Sequence, residues 1–147
     1  MISVTSRDFF EMHIEEFIIS SEKVAHVQVG NSAEHALLVL TKTGYSSIPV
    51  LDSKYRLKGL VSTSMITDSI LGLNHIEYER LPDFKVDVVM HSPVPSIHIN
   101  ETFKKGLDLL INHPFLCVVD DEETFLGILT RRVVLKQLKK HMYQNNE

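Results

Sequence analysis

Two neighbouring arginines, Arg131 and Arg132, directly follow Thr130 in the second half of the chain. Threonine is a frequent N-cap, and the apolar spacing after it predicts a helix whose first turn carries both arginines. A helix N-terminus attracts anions, and arginine adds bidentate hydrogen bonds to phosphate. The pattern therefore indicates a phosphate-binding site. A solvated surface pair is the alternative, although arginine at this end of a helix opposes the helix dipole.

A second group of residues is suited to holding a nucleobase. Tyr45 offers a ring for stacking, the segment after it offers extended backbone, Ala25 permits close approach, and Lys23 adds a point charge. Turn and edge-strand roles are the alternatives for Tyr45 and Pro49. The candidate ligand-binding residues are Lys23, Val24, Ala25, Tyr45, Ser46, Ser47, Ile48, Pro49, Thr130, Arg131 and Arg132.

The chain contains one unit used twice. Residues 24–70 align with residues 94–138, pairing Val50 with Val118, and the second copy lacks two residues. Two copies indicate a pseudo-symmetric pair, because solenoids need at least three. The copies differ where the candidate site lies, since only the first keeps the segment around Tyr45 and only the second has the paired arginines. We therefore expect one good cleft per chain.

Each copy predicts the order β-α-β-β-α, with a polar turn joining the two adjacent strands. Gly44 stands where a left-handed cap would end the first long helix, and Leu107, Leu110 and Ile111 give its counterpart a helical apolar spacing. A leading helix is expected from about Thr5 to Ile18. The fold class is α+β, with two repeats packed about a pseudo-twofold axis because neither small sheet can bury both faces alone.

The expected organisation has five parts. They are an N-terminal packing helix in residues 1–22, the first repeat in 23–72, a connector and lead-in helix in 73–90, the second repeat in 91–141 and a tail in 142–147.

Composition excludes several classes of function. A net charge of -4 over 147 residues lacks the positive field needed for nonspecific binding of DNA or RNA. The first residues mix acids into their apolar pattern, and no apolar run reaches membrane length, so neither a signal peptide nor a membrane span is expected. Cys117, the only cysteine, lies in an apolar run and indicates a buried thiol in a reducing compartment. A cytoplasmic protein is expected.

Catalytic groups are not evident. The eight histidines show no ligand spacing, so no metal is assigned. The acid pairs Glu15-Glu16, Asp120-Asp121 and Glu122-Glu123 are typical of solvated surfaces rather than of a general acid and base. Neither a nucleophile elbow nor a glycine-rich phosphate loop occurs. We expect no enzyme activity and no cofactor.

The two copies resemble the CBS domain, here as a CBS pair or Bateman module. The resemblance covers residues 14–140 and is carried by IPVLD then GLVS in the first copy and by VVD then GILTRR in the second. It implies an adenine-nucleotide sensor with ligands in the clefts between repeats, commonly assembled as a head-to-head dimer. The fold alone does not fix the ligand.

Longer strings are similar to the small stand-alone cyclic di-AMP-binding CBS proteins of Gram-positive bacteria. These are KVAHVQVGN, EHALLVLTKTGYSSIPVLD, YRLKGL and FLGILTRRVVLK. The resemblance implies a homodimer that binds cyclic di-AMP at the candidate residues and regulates partner proteins according to ligand occupancy. It also implies two partners, the stringent-response (p)ppGpp synthetase and pyruvate carboxylase, which the ligand would release.

One departure bears on the ligand. Many AMP- or ATP-binding CBS motifs place an Asp one turn into the last helix to hold ribose hydroxyls, whereas this chain has Val133 and Met65 there. An arginine-rich site without that carboxylate fits a cyclic dinucleotide better than AMP, because the 3′ oxygen of a cyclic dinucleotide is tied into the phosphodiester. The alternatives are a regulator that senses AMP, ADP or ATP and an interaction scaffold without a ligand.

Overall fold

The N-terminal segment is broken rather than being one helix. The structure, a computed structural model, describes residues 6–145. Helix α1 spans Ser6–Phe10, a 3-10 helix spans Ile14–Phe17 and strand β1 spans Ile19–Ser20. The prediction of a continuous helix from about Thr5 to Ile18 is therefore wrong, and Thr5 itself lies outside the described residues.

Pairing with another segment explains the break. The N–H of Ile14 donates to the carbonyl of Glu101 at 3.0 Å, and His13 forms a β-bridge with Thr102. A continuous helix would keep these backbone groups for its own hydrogen bonds. Ile14 is nevertheless fully buried.

The first repeat has the predicted order of elements. It comprises β2 (Val27–Gln28), α2 (Ala33–Thr43), β3 (Ser47–Leu51), β4 (Leu57–Ser62) and α3 (Thr63–Ser69). The sheet order is β2-β3-β4, with β2 parallel to β3 and β3 antiparallel to β4. The Ser32 hydroxyl caps α2 by accepting the His35 N–H at 3.0 Å, and Gly44 ends it at φ 78°. Both ends of α2 are therefore encoded locally.

The second repeat follows a short connector. After a 3-10 helix at Tyr78–Asp83 come α4 (Val86–Val89), β5 (Ser96–His98), α5 (Phe103–Leu110), β6 (Phe115–Val119), β7 (Phe125–Thr130) and α6 (Arg131–Asn145). The sheet order is β1-β7-β6-β5, so the N-terminal strand completes this sheet. The β-α-β-β-α order of the fold-class prediction is thus confirmed in both copies.

The turns of the two hairpins are built alike. Asp52 accepts the Lys54 N–H and Asp120 accepts the Glu122 N–H, each at 2.9 Å. Tyr55 has φ 67°, and its counterpart Glu123 has φ 66°. These repeated local details support the sequence alignment of the copies. Hydrogen bonds from the Arg56 and Lys54 backbone N–H groups and from the Arg56 side chain lower the pKa of Asp52.

The described residues form two compact units with separate cores. Unit 1 holds the chain up to Val24, Pro95–Glu122 and the chain from Leu126 onward; unit 2 holds Ala25–Val94 and Glu123–Phe125. The core of unit 1 includes Phe103 and that of unit 2 includes Leu40. Within residues 6–145, no helix is long and apolar enough to cross a membrane.

Candidate functional site

The segment from Tyr45 to Pro49 lies in unit 2, where it leads from α2 into β3. Gly44 turns the chain out of α2, which leaves Tyr45 at 46% exposure. The carbonyl of Ser46 accepts the N–H of Thr63 at 3.1 Å, so it is already used at the start of α3. Tyr45 thus presents an exposed ring beside an anchored backbone.

The edge of β3 offers backbone groups at Ser47. Pro49 lies opposite Leu60, which exchanges hydrogen bonds of 3.0 and 2.9 Å with His91 on its other side. In an antiparallel pair the bonding direction alternates, so Ser47 and Pro49 direct their polar groups toward the β2 side of β3. Strand β2 begins only opposite Val50. The N–H and C=O of Ser47 therefore face an edge that β2 does not reach, whereas the C=O of Pro49 accepts the Val27 N–H in the parallel pairing.

The same edge is covered in the second repeat. Cys117 takes the place of Pro49, and its N–H donates to the carbonyl of Pro95 at 3.1 Å. Strand β5 already begins at Ser96, opposite Cys117. The uncovered edge is therefore a property of the first repeat, and proline fits it because no N–H is wanted there.

Cys117 is unsuited to nucleophilic chemistry. Its side chain is fully buried, and burial raises the pKa of the thiol from 9.0 to about 12. The thiolate is the reactive form, and it is disfavoured in this apolar surrounding. The prediction of a buried thiol is confirmed.

The start of α6 lies in unit 1 and has the predicted cap. The Thr130 hydroxyl accepts the N–H of Val133 at 3.2 Å. The N–H of Arg131 donates to the carbonyl of Pro114 at 3.1 Å, as Thr63 does to Ser46 in the first repeat. The backbone around the paired arginines is therefore held in place from both sides.

Arg131 has a role that sequence reasoning missed. Its Nε lies 2.7 Å from the Leu110 carbonyl oxygen, and its Nη2 lies 3.0 Å from that of Ile111. The guanidinium thus binds the last carbonyls of α5, where a cation is favourable. Helix α5 ends at Leu110, and Ile111, the last residue of the predicted apolar spacing, is 69% exposed. The signal was the two-residue deletion, which removes a counterpart of Gly44.

Arg132 differs from its neighbour. Its side chain is exposed and forms no hydrogen bond or ion pair with the residues that the structure describes. It stands on a helix with five basic and no acidic residues, in a chain whose net charge is -4. Arg132 therefore presents a guanidinium that no described residue binds, on a helix of net positive charge.

The third segment, Lys23 to Ala25, crosses from one unit to the other. Lys23 ends a 3-10 helix at Ser21–Lys23, and the N–H of Val24 donates to Ser21 at 3.1 Å. Lys23 is exposed, Val24 is buried and Ala25 is half-buried. Lys23 and Val24 belong to unit 1 and Ala25 belongs to unit 2.

The structure thus brings the candidate residues together in two sets. Unit 2 joins Tyr45–Pro49 to the start of α3 through the Ser46 carbonyl, and unit 1 joins Thr130–Arg132 to the end of α5. Among residues 6–145, no group of three or more His, Cys, Asp or Glu residues could hold a metal ion. The chemistry available is backbone recognition in one set and anion binding in the other.

Two β-α-β-β-α repeats, one with an uncovered strand edge at Ser47 and the other with paired arginines at a helix start, define a tandem-repeat binding module. The chain belongs to the CBS domain family, whose pattern matches residues 14–72 and 85–140. The resemblance to a CBS pair is confirmed.

Similar proteins include a receptor and several proteins with solved structures. The cyclic di-AMP receptor B of Bacillus subtilis (strain 168) is 54% identical over 147 residues, covering 100% of both chains. The CbpB protein of Listeria monocytogenes in complex with c-di-AMP is 55% identical, with a TM-score of 0.82, covering 89% of this chain and 98% of that one. A CBS domain-containing protein of Bacillus anthracis is 53% identical, with a TM-score of 0.86, covering 92% and 99%.

Proposed function

We propose that this protein is a CBS-pair signalling receptor that binds cyclic di-AMP and regulates partner proteins according to its occupancy. The observation that carries the proposal is the uncovered edge of β3 at Ser47, which the second repeat lacks. Full-length identity of 54% to a cyclic di-AMP receptor supports the choice of ligand. In this proposal the ligand-binding residues fall in two halves, one within 23–72 and the other within 91–141.

The first half would hold the adenine. An adenine edge presents both a donor and an acceptor, which match the C=O and N–H of Ser47. Tyr45 would stack on the base, since its ring is 46% exposed and follows the fixed turn at Gly44. Lys23, Val24, Ala25, Ser46 and Ile48 complete the proposed lining.

The second half would hold the phosphates. Thr130 caps α6, and Arg131 and Arg132 add two positive charges at the helix start. Charge-assisted hydrogen bonds from arginine to phosphate are stronger than neutral ones. Arg132 is the stronger contributor in this proposal, because its guanidinium has no partner among the described residues.

The lack of an Asp one turn into α6 and α3 favours a cyclic dinucleotide over AMP. Val133 and Met65, both half-buried, occupy the positions one turn into α6 and α3 where a ribose-binding Asp would stand. A carboxylate beside the proposed phosphate seat would repel the ligand. Cyclic di-AMP has no free 3′ hydroxyl that requires such an acceptor.

Signalling would follow from differential binding. If the free protein binds cyclic di-AMP more tightly than the partner-bound protein does, the nucleotide releases the partner by linkage. We propose a cytoplasmic homodimer without catalytic activity whose partners are the (p)ppGpp synthetase of the stringent response and pyruvate carboxylase. DNA, RNA and membranes are not expected partners.

The experiment that tests the base half is calorimetric titration of cyclic di-AMP into wild type, Tyr45→Ala and Tyr78→Ala. Tyr78 is a matched control, because it is 54% exposed and lies outside the proposed site. Loss of one stacking contact should weaken binding roughly 5- to 100-fold for Tyr45→Ala alone. Equal affinities for the two variants would remove Tyr45 from the site.

A further inference from the structure

We propose that the two arginines divide their work, and that Arg131 is a positioning residue that acts through α5 while Arg132 contacts the ligand. The inference rests on the proposed function for its ligand and on the side-chain geometry for the division. The Arg131 side chain donates two hydrogen bonds at the end of α5, from Nε to the Leu110 carbonyl at 2.7 Å and from Nη2 to the Ile111 carbonyl at 3.0 Å. Its backbone N–H is bound to Pro114 at 3.1 Å.

The first repeat shows what Arg131 replaces. There, α2 ends in Gly44, whose left-handed backbone returns its N–H to Leu40 at 2.9 Å. Helix α5 has no such glycine, and Ile111 after it remains right-handed at φ −58° and ψ −40°. The terminal carbonyls of α5 consequently lack the glycine cap, and the guanidinium binds them instead.

This contact joins the end of α5 to the first turn of α6. Because Arg131 precedes Arg132 on that turn, the contacts of Arg131 to Leu110, Ile111 and Pro114 fix the position from which Arg132 projects. Preorganised positioning of a neighbouring binding group raises affinity without a direct contact. The two-residue deletion and Arg131, which both distinguish the second copy from the first, thus concern the same end of α5.

A first experiment needs no nucleotide. Hydrogen exchange should be measured at the Asn112 N–H, which donates to Leu109 at 3.4 Å, in wild type, Arg131→Ala and Arg132→Ala. Two charged hydrogen bonds hold this turn, so Arg131→Ala should accelerate exchange about tenfold, whereas Arg132→Ala should change it less than about twofold. An unchanged rate in Arg131→Ala would overturn the capping role.

A second experiment separates positioning from direct contact by rescue. Cyclic di-AMP should be titrated into Arg131→Ala, into the same variant with Asn112→Gly, and into one carrying the sequence of Thr41–Tyr45 in place of residues 111–113. Either rescue supplies a glycine cap for α5. We expect Arg131→Ala to weaken binding about tenfold and a folded rescue variant to return within about threefold of wild type.

The matched control is Arg132→Ala with the same rescues, which should stay weak because its lost contact is to the ligand. A contradicting outcome is a normal exchange rate at residue 112 in the rescue variants of Arg131→Ala, with neither of them regaining cyclic di-AMP affinity. In that case Arg131 contacts phosphate directly and the proposed division between the arginines is wrong. If the wild type does not bind cyclic di-AMP, the proposed function fails, while the exchange result still decides the capping role.

Discussion

The guanidinium Nε of Arg131 lies 2.7 Å from the carbonyl oxygen of Leu110, so the first turn of α6 is bound to the last turn of α5. A cation at a helix C-terminus is stabilising, and hydrogen bonds from charged donors exceed neutral ones. The contact therefore stabilises the second repeat whether or not a ligand is bound.

The capping contact predicts a difference in stability between the two arginines. Arg131→Ala should lower the free energy of unfolding by about 1–2 kcal/mol, because two carbonyls lose a charged donor. Arg132→Ala should change it by less than about 0.5 kcal/mol, since its side chain is exposed and unpartnered among the described residues. Urea unfolding measures both values, and equal losses would contradict the assignment.

The close approach of β1 to β7 predicts that Gly127 resists substitution. An added Cβ would clash with the backbone carbonyl of Ile19, which pairs with the adjacent Ile128. Gly127→Ala should therefore destabilise the protein by about 2 kcal/mol or more, because backbone must move.

Gly59 is the matched control, since it is the counterpart of Gly127 in the first repeat. A Cβ there would meet the Met90 side chain, with the sulfur 2.5 Å away, and a flexible methionine can move. Gly59→Ala should consequently be milder by about 1 kcal/mol. A larger loss for Gly59→Ala in thermal unfolding would refute the comparison.

The buried thiol predicts a pH dependence at alkaline pH. Cys117 has its pKa raised from 9.0 to about 12 in the folded protein. Above pH 9 the unfolded chain releases this proton while the folded chain keeps it, so stability falls as pH rises toward 12. Each unit of pH in this window removes up to about 1.4 kcal/mol.

Cys117→Ala separates this effect from other alkaline titrations. Urea unfolding at pH 7.5 and near pH 10.5 should show a steeper loss of stability for wild type than for Cys117→Ala. Parallel losses in the two proteins would show that the thiol does not titrate on unfolding in this range.

Much of the fold followed from the sequence because the decisive signals are local. Gly44 ends α2 and Thr130 caps α6, as the backbone freedom of glycine and the threonine side chain predict. The leading helix was mispredicted because its break depends on pairing with Glu101, which is remote in sequence. Local periodicity cannot report such a partner.

The candidate site was predictable in its parts but not in its internal division. Comparison of the copies singled out Tyr45–Pro49 and the paired arginines. It could not show that Ser47 lies on an edge that β2 does not reach, nor that Arg131 binds Leu110. Both facts depend on where distant segments begin and end. Strand β2 begins one residue later relative to its partner strand than β5 does.

The missing carboxylate predicts a change of ligand preference. Val133→Asp should weaken the binding of cyclic di-AMP, because the carboxylate would stand on the same helical turn as Arg131 and Arg132. The affinity for AMP relative to that for cyclic di-AMP should rise by about tenfold or more. Competition between the two nucleotides measures this ratio. Val133→Asn controls for size, and an equal change in both variants would rule out the charge argument.

The central claim is tested most directly by calorimetric titration of the wild-type protein with cyclic di-AMP, AMP and ATP under identical conditions. The account predicts saturable binding of cyclic di-AMP at one site per chain. AMP and ATP should bind at least about tenfold more weakly. Clear binding of AMP or ATP without binding of cyclic di-AMP would contradict the account. Absence of heat with all three, confirmed by no thermal shift, would instead leave an interaction scaffold.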